Sequence, residues 1–395
     1  MFKRPVSWMT AICLVLIAAM ASSTLTLLLV GSTPADVAPA EDPLARAREI
    51  LAIVERDYYT QIDENQLATG AIRGMLATLD DPYTFYYTAE EYQAMNEETT
   101  GHYSGVGMLV GLDGRGNLMV MRVFRDSPAM LAGVQAGDLL VAVNGTPVAG
   151  NTSRDLNTAV SLLKGDDQTP VEATFERNGE RLTFTLTRGA VNINYVEYSV
   201  LDGDIGYLSI YQFSGDDVAG VTEALSAFRE AGVRALVVDV RSNPGGLLSD
   251  VVQICDLLVP EGMIVYTEDR QGRRQEYYAD GEYWDVPMAV LVNGMSASAS
   301  EIFAAAVQES GRGAIVGETT YGKGIVQTLF SFAEGDGVQL TTSAYYTASG
   351  ASIHGRGVTP DIEVSLADDD PILYYAPDPE GDEQLRAALD ALQGA

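Results

Sequence analysis

Two short runs carry residues whose types could support acyl transfer. In Val292-Asn293-Gly294-Met295-Ser296-Ala297-Ser298-Ala299-Ser300-Glu301, a buried-strand pattern turns through small side chains into a helical pattern. A serine at such a turn lies near free N–H groups and the positive end of a helix dipole, which suits a developing oxyanion. The same residues also spell a capping box, Ser298-x-x-Glu301, in which the hydroxyl only bonds a backbone N–H. On this run alone the cap is the favoured reading.

A serine nucleophile needs a base, and the chain has only two histidines, His102 and His354. His354 sits in a Gly-rich turn with no Ser-His-Asp order around it, so a Ser/His hydrolase is the minor reading. The second run, Tyr321-Gly322-Lys323-Gly324, offers a lysine with Gln327 shortly after it. A lysine acts as a base only where burial disfavours the ammonium, and read alone Lys323 is a solvated turn residue. Gly317 to Lys323 also matches most of a phosphate-binding loop. Gly324 replaces its magnesium-binding hydroxyl, however, and Ile325 to Phe330 reads as a strand where that loop needs a helix. No metal cluster or dinucleotide fingerprint occurs, and no cofactor is expected.

These runs lie in a region, residues 191–368, where strands and helices alternate. Ile205 to Phe213, Ala235 to Val240, Met288 to Val292 and Ala314 to Val316 read as strands. Val218 to Ala231, Asp250 to Leu258 and the stretch through Gln308 read as helices, giving an α/β layered core. A tail, 369–395, ends in helical spacing from Glu383 to Leu392 and is expected to dock on a neighbour. Before the core, residues 101–190 form a β-rich module, with Asn178-Gly179 marking a hairpin between Val171 to Phe175 and Leu182 to Leu186. Residues 44–100 are helical in spacing (Ile50, Leu51, Val54; Leu67, Ile72, Met75, Leu76) until Asp80-Asp81-Pro82 breaks the pattern. Packing or self-association with a second copy is the reading for that region.

At the N-terminus, Lys3 and Arg4 in a basic end (1–6) precede an uncharged, mainly apolar run at 7–30. As a helix it is long enough to cross a membrane, with the basic end cytoplasmic and the remainder outside the cytoplasm. A cleaved signal peptide ending near Ala19-Met20-Ala21 is the rival reading, and 31–43 is a Pro/Ala/acidic linker. The net charge of −31, from 55 acidic and 24 basic residues, argues against nucleic-acid binding. Cys13 and Cys255 give no disulfide framework.

The module's opening, Tyr103-Ser104-Gly105-Val106-Gly107-Met108, with Ser127-Pro128-Ala129 and Ala132 to Asp138 leading into Leu139 to Val143 and Asn144-Gly145, resembles a PDZ domain. Glycines at 105 and 107 let backbone N–H groups converge on a carboxylate, and an exposed strand edge can pair with a peptide. Ser104, Gly105, Val106 and Gly107 are the candidate carboxylate site for polypeptides with free C-termini.

From Asn293 through Gln327 the sequence resembles the carboxy-terminal processing peptidases, or tail-specific proteases. Ser298 stands at the nucleophile position, Lys323 at the base position of the Gly-Lys-Gly motif, and Gln327 at the supporting polar position. Arg241-Ser242-Asn243-Pro244-Gly245-Gly246 matches the family's oxyanion-side loop, and Gly355 to Asp361 its closing segment. The resemblance implies a ClpP/crotonase-like core with a Ser-Lys dyad, cleaving proteins near their C-termini. It also implies an oxyanion hole from the N–H of Gly245 or Gly246 with that of Ala299. A catalytically silent, membrane-tethered peptide-binding adaptor is the alternative from another class.

Overall fold

The computed structural model describes residues 42, 44–100, 102–366 and 377–393. The expected basic end, the membrane anchor at 7–30 and nearly all of the linker lie outside the described residues. Among the described residues no helix is long and apolar enough to cross a membrane. The chain divides into two compact units, Met1–Ala71 and Ile72–Ala395.

In the first unit, α1 (Ala45–Asp57) forms where the three- and four-residue apolar spacing predicts a helix, yet none of its residues is buried. Ile50 and Ile53 are about half exposed, at 54% and 50%. The following helix, α2 (Glu64–Ala77), runs across the boundary into the second unit.

The second unit begins with a departure from the expected helical stretch. Asp80 takes a positive φ of 52°, and the chain after Pro82 enters a short strand, β1 (Phe85–Tyr87), before α3 (Ala89–Thr100). Three successive aromatics, Phe85, Tyr86 and Tyr87, suit an extended backbone, and the pairing that holds them is remote in sequence.

The β-rich module is entered and left through a two-stranded ribbon, β2 (His102–Gly105) against β9 (Gly189–Asn192), which marks it as an insertion. Between them lie β3 (Met108–Leu112), β4 (Leu118–Val123), α4 (Pro128–Ala132), β5 (Leu139–Val143), β6 (Thr146–Pro147), α5 (Ser153–Leu163), β7 (Pro170–Arg177) and β8 (Glu180–Thr187). The sheet order is β3-β4-β5-β7-β8, with β6 on β5. Val171, Ala173 and Phe175 alternate inward on β7 and pack with Val120, Leu140 and Leu186. The Asn178-Gly179 turn has positive φ at both residues, 52° and 80°, as a tight hairpin requires.

The layered core is a six-stranded sheet of order β10-β11-β12-β15-β16-β19. Its members are β10 (Val196–Leu201), β11 (Ile205–Ile210), β12 (Ala235–Asp239), β15 (Met288–Val292), β16 (Ala314–Gly317) and β19 (Ile362–Glu363), with only the β10–β11 pair antiparallel. The strand period of two sorts the side chains. Leu236, Val238, Val290 and Val292 face α6 (Asp217–Ala231), α7 (Leu248–Leu258) and α8 (Ala299–Glu309), whereas Val237, Ala289 and Leu291 face α9 (Glu383–Gln393) through Leu385 and Ala388. The terminal helix thus docks on its own sheet. Buried Arg241 reinforces it, pairing with Asp239 at 2.6 Å and with Asp382 at 2.7 Å, and donating to Gln384 Oε1. A second sheet runs β1-β18-β13-β14, with β13 (Gly262–Asp269), β14 (Arg274–Ala279) and the long β18 (Gly337–Thr347), which also pairs with β17 (Ile325–Ser331). β1 meets β18 in the register Phe85↔Gln339.

Candidate active site

β15 ends at Val292 and α8 starts at Ala299, so Ser298 occupies the strand-to-helix turn as the N-cap residue. Its backbone is at φ 55° and ψ −113°, a conformation that non-glycine residues rarely hold and that surrounding bonds must enforce. Those bonds are present. Asn293 Oδ1 accepts the Ser242 N–H at 2.9 Å, Ser296 Oγ donates to Val240 O at 2.8 Å, and Ala297 N–H donates to Asn243 O at 3.0 Å. Ser300 Oγ donates to the same Asn243 carbonyl at 2.9 Å. The oxyanion-side loop and the serine turn are thereby sewn together.

Gly245 closes tightly on this turn. It has φ 103°, and a Cβ there would lie 2.7 Å from Ser298 Cβ and 2.9 Å from Ala299 N. Its N–H donates to Asn243 Oδ1 at 2.8 Å, which corrects the expectation that Gly245 could serve the oxyanion hole. No acceptor among the described residues takes the N–H of Gly246 or Ala299, and both residues line one cavity with Ser298. Gly246 and Ala299 are therefore the pair of donors left for an oxyanion.

That cavity, of about 330 Å³, is also lined by Lys323, Gln327, Gln212 and Tyr345. Burial pulls the Lys323 amine below the usual lysine range, while the charges of Asp81 and Glu301 act in the opposite direction. Gln327 Nε2 donates to Thr341 Oγ1 at 3.3 Å. No hydrogen bond joins Ser298 Oγ to Lys323 Nζ among the described residues; the amine lies 4.6 Å from the centroid of the Tyr83 ring. His354 is exposed, does not line the cavity, and accepts the Gly324 N–H on Nδ1, so the Ser/His reading has no geometric support.

Four residues escaped the sequence reading. Glu301, fully buried, was legible only as half of a cap; its Oε2 accepts the N–H of both Ser298 and Lys323, and its Oε1 accepts Thr320 Oγ1 and the Gly322 N–H. The Tyr345 hydroxyl donates to the carbonyls of Ser298 and Lys323, and a lone tyrosine on a strand gives no signal of this. Asp81 was legible only as part of the Asp80-Asp81-Pro82 helix break, and Tyr83 gave no signal at all.

In the module, a larger cavity of about 790 Å³ is lined by Val106, Met108 and Val110 on one side, Leu163 and Lys164 on another, and Phe85, Tyr86 and Tyr87 of β1 on a third. Val106 and Gly107 turn their carbonyls to the N–H groups of Ala129 and Phe124. Ser104 is instead a ribbon residue, paired with Ala190, and its hydroxyl donates to Gly165 O. Tyr103 packs its ring on Gly105 and places its phenol at the Gly107 N–H; burial pushes that hydroxyl up to about 12.

A strained serine, two adjacent unused N–H groups and a half-buried lysine in one cavity, on a layered core with an inserted β module, define a serine-type peptidase site. The comparisons agree. The model of peptidase family S41 matches residues 204–364, a PDZ domain model matches 119–177, and the model of the activating protease CtpB N-terminal domain matches 26–91. A carboxy-terminal-processing protease of Bartonella bacilliformis is 38% identical over 334 residues, covering 81% of this chain and 75% of the relative. The carboxy-terminal processing protease CtpA of Bacillus subtilis is 32% identical over 362 residues, covering 90% and 77%. A solved photosystem II D1 C-terminal processing protease superposes with a TM-score of 0.53 at 33% identity, covering 88% of this chain and 91% of the other. The chain belongs to the carboxy-terminal processing proteases of peptidase family S41.

Proposed function

We propose that Ser298 and Lys323 form a Ser-Lys dyad that cleaves polypeptides near their C-termini. The observation that carries this reading is the shared grip of Glu301 on both backbones, with both side chains opening into one cavity. Neutral Lys323 takes the hydroxyl proton as Ser298 Oγ attacks the scissile carbonyl, and the N–H groups of Gly246 and Ala299 receive the oxyanion. The leaving amine takes that proton, and a water deprotonated by the same lysine then hydrolyses the acyl-enzyme. Gln327 supports the lysine from β17. The core is read as ClpP/crotonase-like.

The apolar lining of the module's cavity supports capture of the substrate's tail there, its carboxylate meeting the N–H groups of the Gly105 to Gly107 turn. The charge and hydropathy pattern of 1–30 supports a single-pass anchor with the peptidase outside the cytoplasm. The exposed Ile50 and Ile53 of α1 support pairing of the first unit with a second copy. A fluorophosphonate probe tests the enzymatic reading: it should label the wild-type protein and not Ser298→Ala. Equal labelling of both would remove Ser298 from the nucleophile role, and labelling of neither would favour the silent adaptor.

A further inference from the structure

The segment before β1 reaches the lysine. Tyr83 presents its ring face to Lys323 Nζ at 4.6 Å from the centroid, within the range of an attractive cation–π contact. Tyr83 is itself held firmly: its N–H donates to Asp81 Oδ1 at 2.9 Å, its carbonyl accepts Gln339 Nε2 at 3.0 Å, and its phenol pairs with Tyr321. Asp81 Oδ2 accepts Thr84 Oγ1 at 2.7 Å, Thr84 Oγ1 accepts the Thr341 N–H at 3.2 Å, and Thr341 Oγ1 accepts Gln327 Nε2. One polar network therefore runs from this segment to the supporting glutamine, and the β1–β18 pairing fixes it to the core.

We infer that Asp81 to Tyr87 is a third contributor to the active site, in which Tyr83 positions the Lys323 amine and Asp81 supplies its countercharge. This rests on the Ser-Lys reading above. The ring face and the carboxylate both favour the ammonium, whereas burial favours the neutral amine. The segment consequently sets where the amine waits between turnovers and how readily it gives up its proton. The other titratable groups around the lysine are Glu301 from α8, Tyr321 and His354 from the flanking turns, and Tyr345 from β18.

The test is kcat/KM against pH, using the full chain and an unstructured polypeptide with an apolar C-terminus. Activity needs the neutral amine, so it rises through the lysine's titration. Asp81→Asn and Tyr83→Leu, which remove groups favouring the ammonium, should move this acid limb to lower pH. Tyr83→Phe keeps the ring face and should retain the wild-type limb. An unmoved limb in both Asp81→Asn and Tyr83→Leu, with rates merely scaled down, overturns the inference, because a purely structural role has that signature. Lys323→Ala separates the two levels. A loss of about 10²- to 10⁴-fold upholds the base assignment independently of the segment, whereas survival of the acid limb without the lysine would end the Ser-Lys reading itself.

Discussion

Ser298 and Lys323 donate their backbone N–H groups to the same oxygen, Glu301 Oε2, at 2.8 Å each. Tyr345 completes the grip from the other side by donating to both carbonyls. The separation of the two candidate catalytic residues is thus fixed through their backbones. Glu301→Gln keeps the size but sets an NH₂ group against N–H or O–H donors, leaving buried groups unpaired at about 1 to 3 kcal/mol each. We expect kcat to fall by about 10²-fold, the loss that slight misplacement of reacting groups can cause, together with a lower melting temperature. Wild-type kcat in a folded Glu301→Gln protein would show that the clamp does not position the pair.

Under the proposed tail capture, the Tyr103 phenol at the Gly107 N–H competes with the incoming carboxylate. Tyr103→Phe removes the competing oxygen and keeps the ring against Gly105, so a peptide with an apolar C-terminus should bind more tightly. Calorimetry with the free-acid and amidated peptides reads this directly. The gain should appear for the acid and vanish for the amide; equal gains for both would place the carboxylate elsewhere.

A buried carboxyl pair makes stability depend on pH. Asp217, 1% exposed, faces Asp250, and its Oδ2 has no hydrogen-bond donor among the described residues. Burial, and next the Asp250 charge, push the Asp217 carboxyl up to about 7 from 3.8. The folded state holds this proton more tightly than the unfolded chain does. The resulting stability is complete below about pH 4 and is lost as pH rises towards about 7. Asp217→Asn can donate to Asp250 at every pH, so it should stabilise the protein at pH 8 by about 1 to 3 kcal/mol and little at pH 4. Thermal melts at the two values check this, and equal shifts at both would contradict it.

Much of the core was legible because its strands carry unbroken apolar runs, such as Ala235 to Val238 and Met288 to Val292. Ser298 reads in sequence either as a helix cap or as a nucleophile, and in the fold it holds the N-cap position with a strained backbone. The β1 strand was not legible. Its identity depends on a partner, Gln339, on the far side of the sequence, and local spacing carries no information about such pairing. The same remoteness hid Asp81, Tyr83 and Tyr345, whose importance comes only from where the fold brings Lys323. Gly245 and Gly246 look equivalent in sequence; only the Asn243 side chain distinguishes them, by taking one N–H and leaving the other.

Turnover of an unstructured substrate by Lys323→Arg shows whether neutral Lys323 is the base for Ser298. Arginine retains length and charge but does not deprotonate in proteins. Degradation should fall to the level of Ser298→Ala while the melting temperature stays near that of the wild type. Degradation at the wild-type rate would mean that Lys323 is not the base.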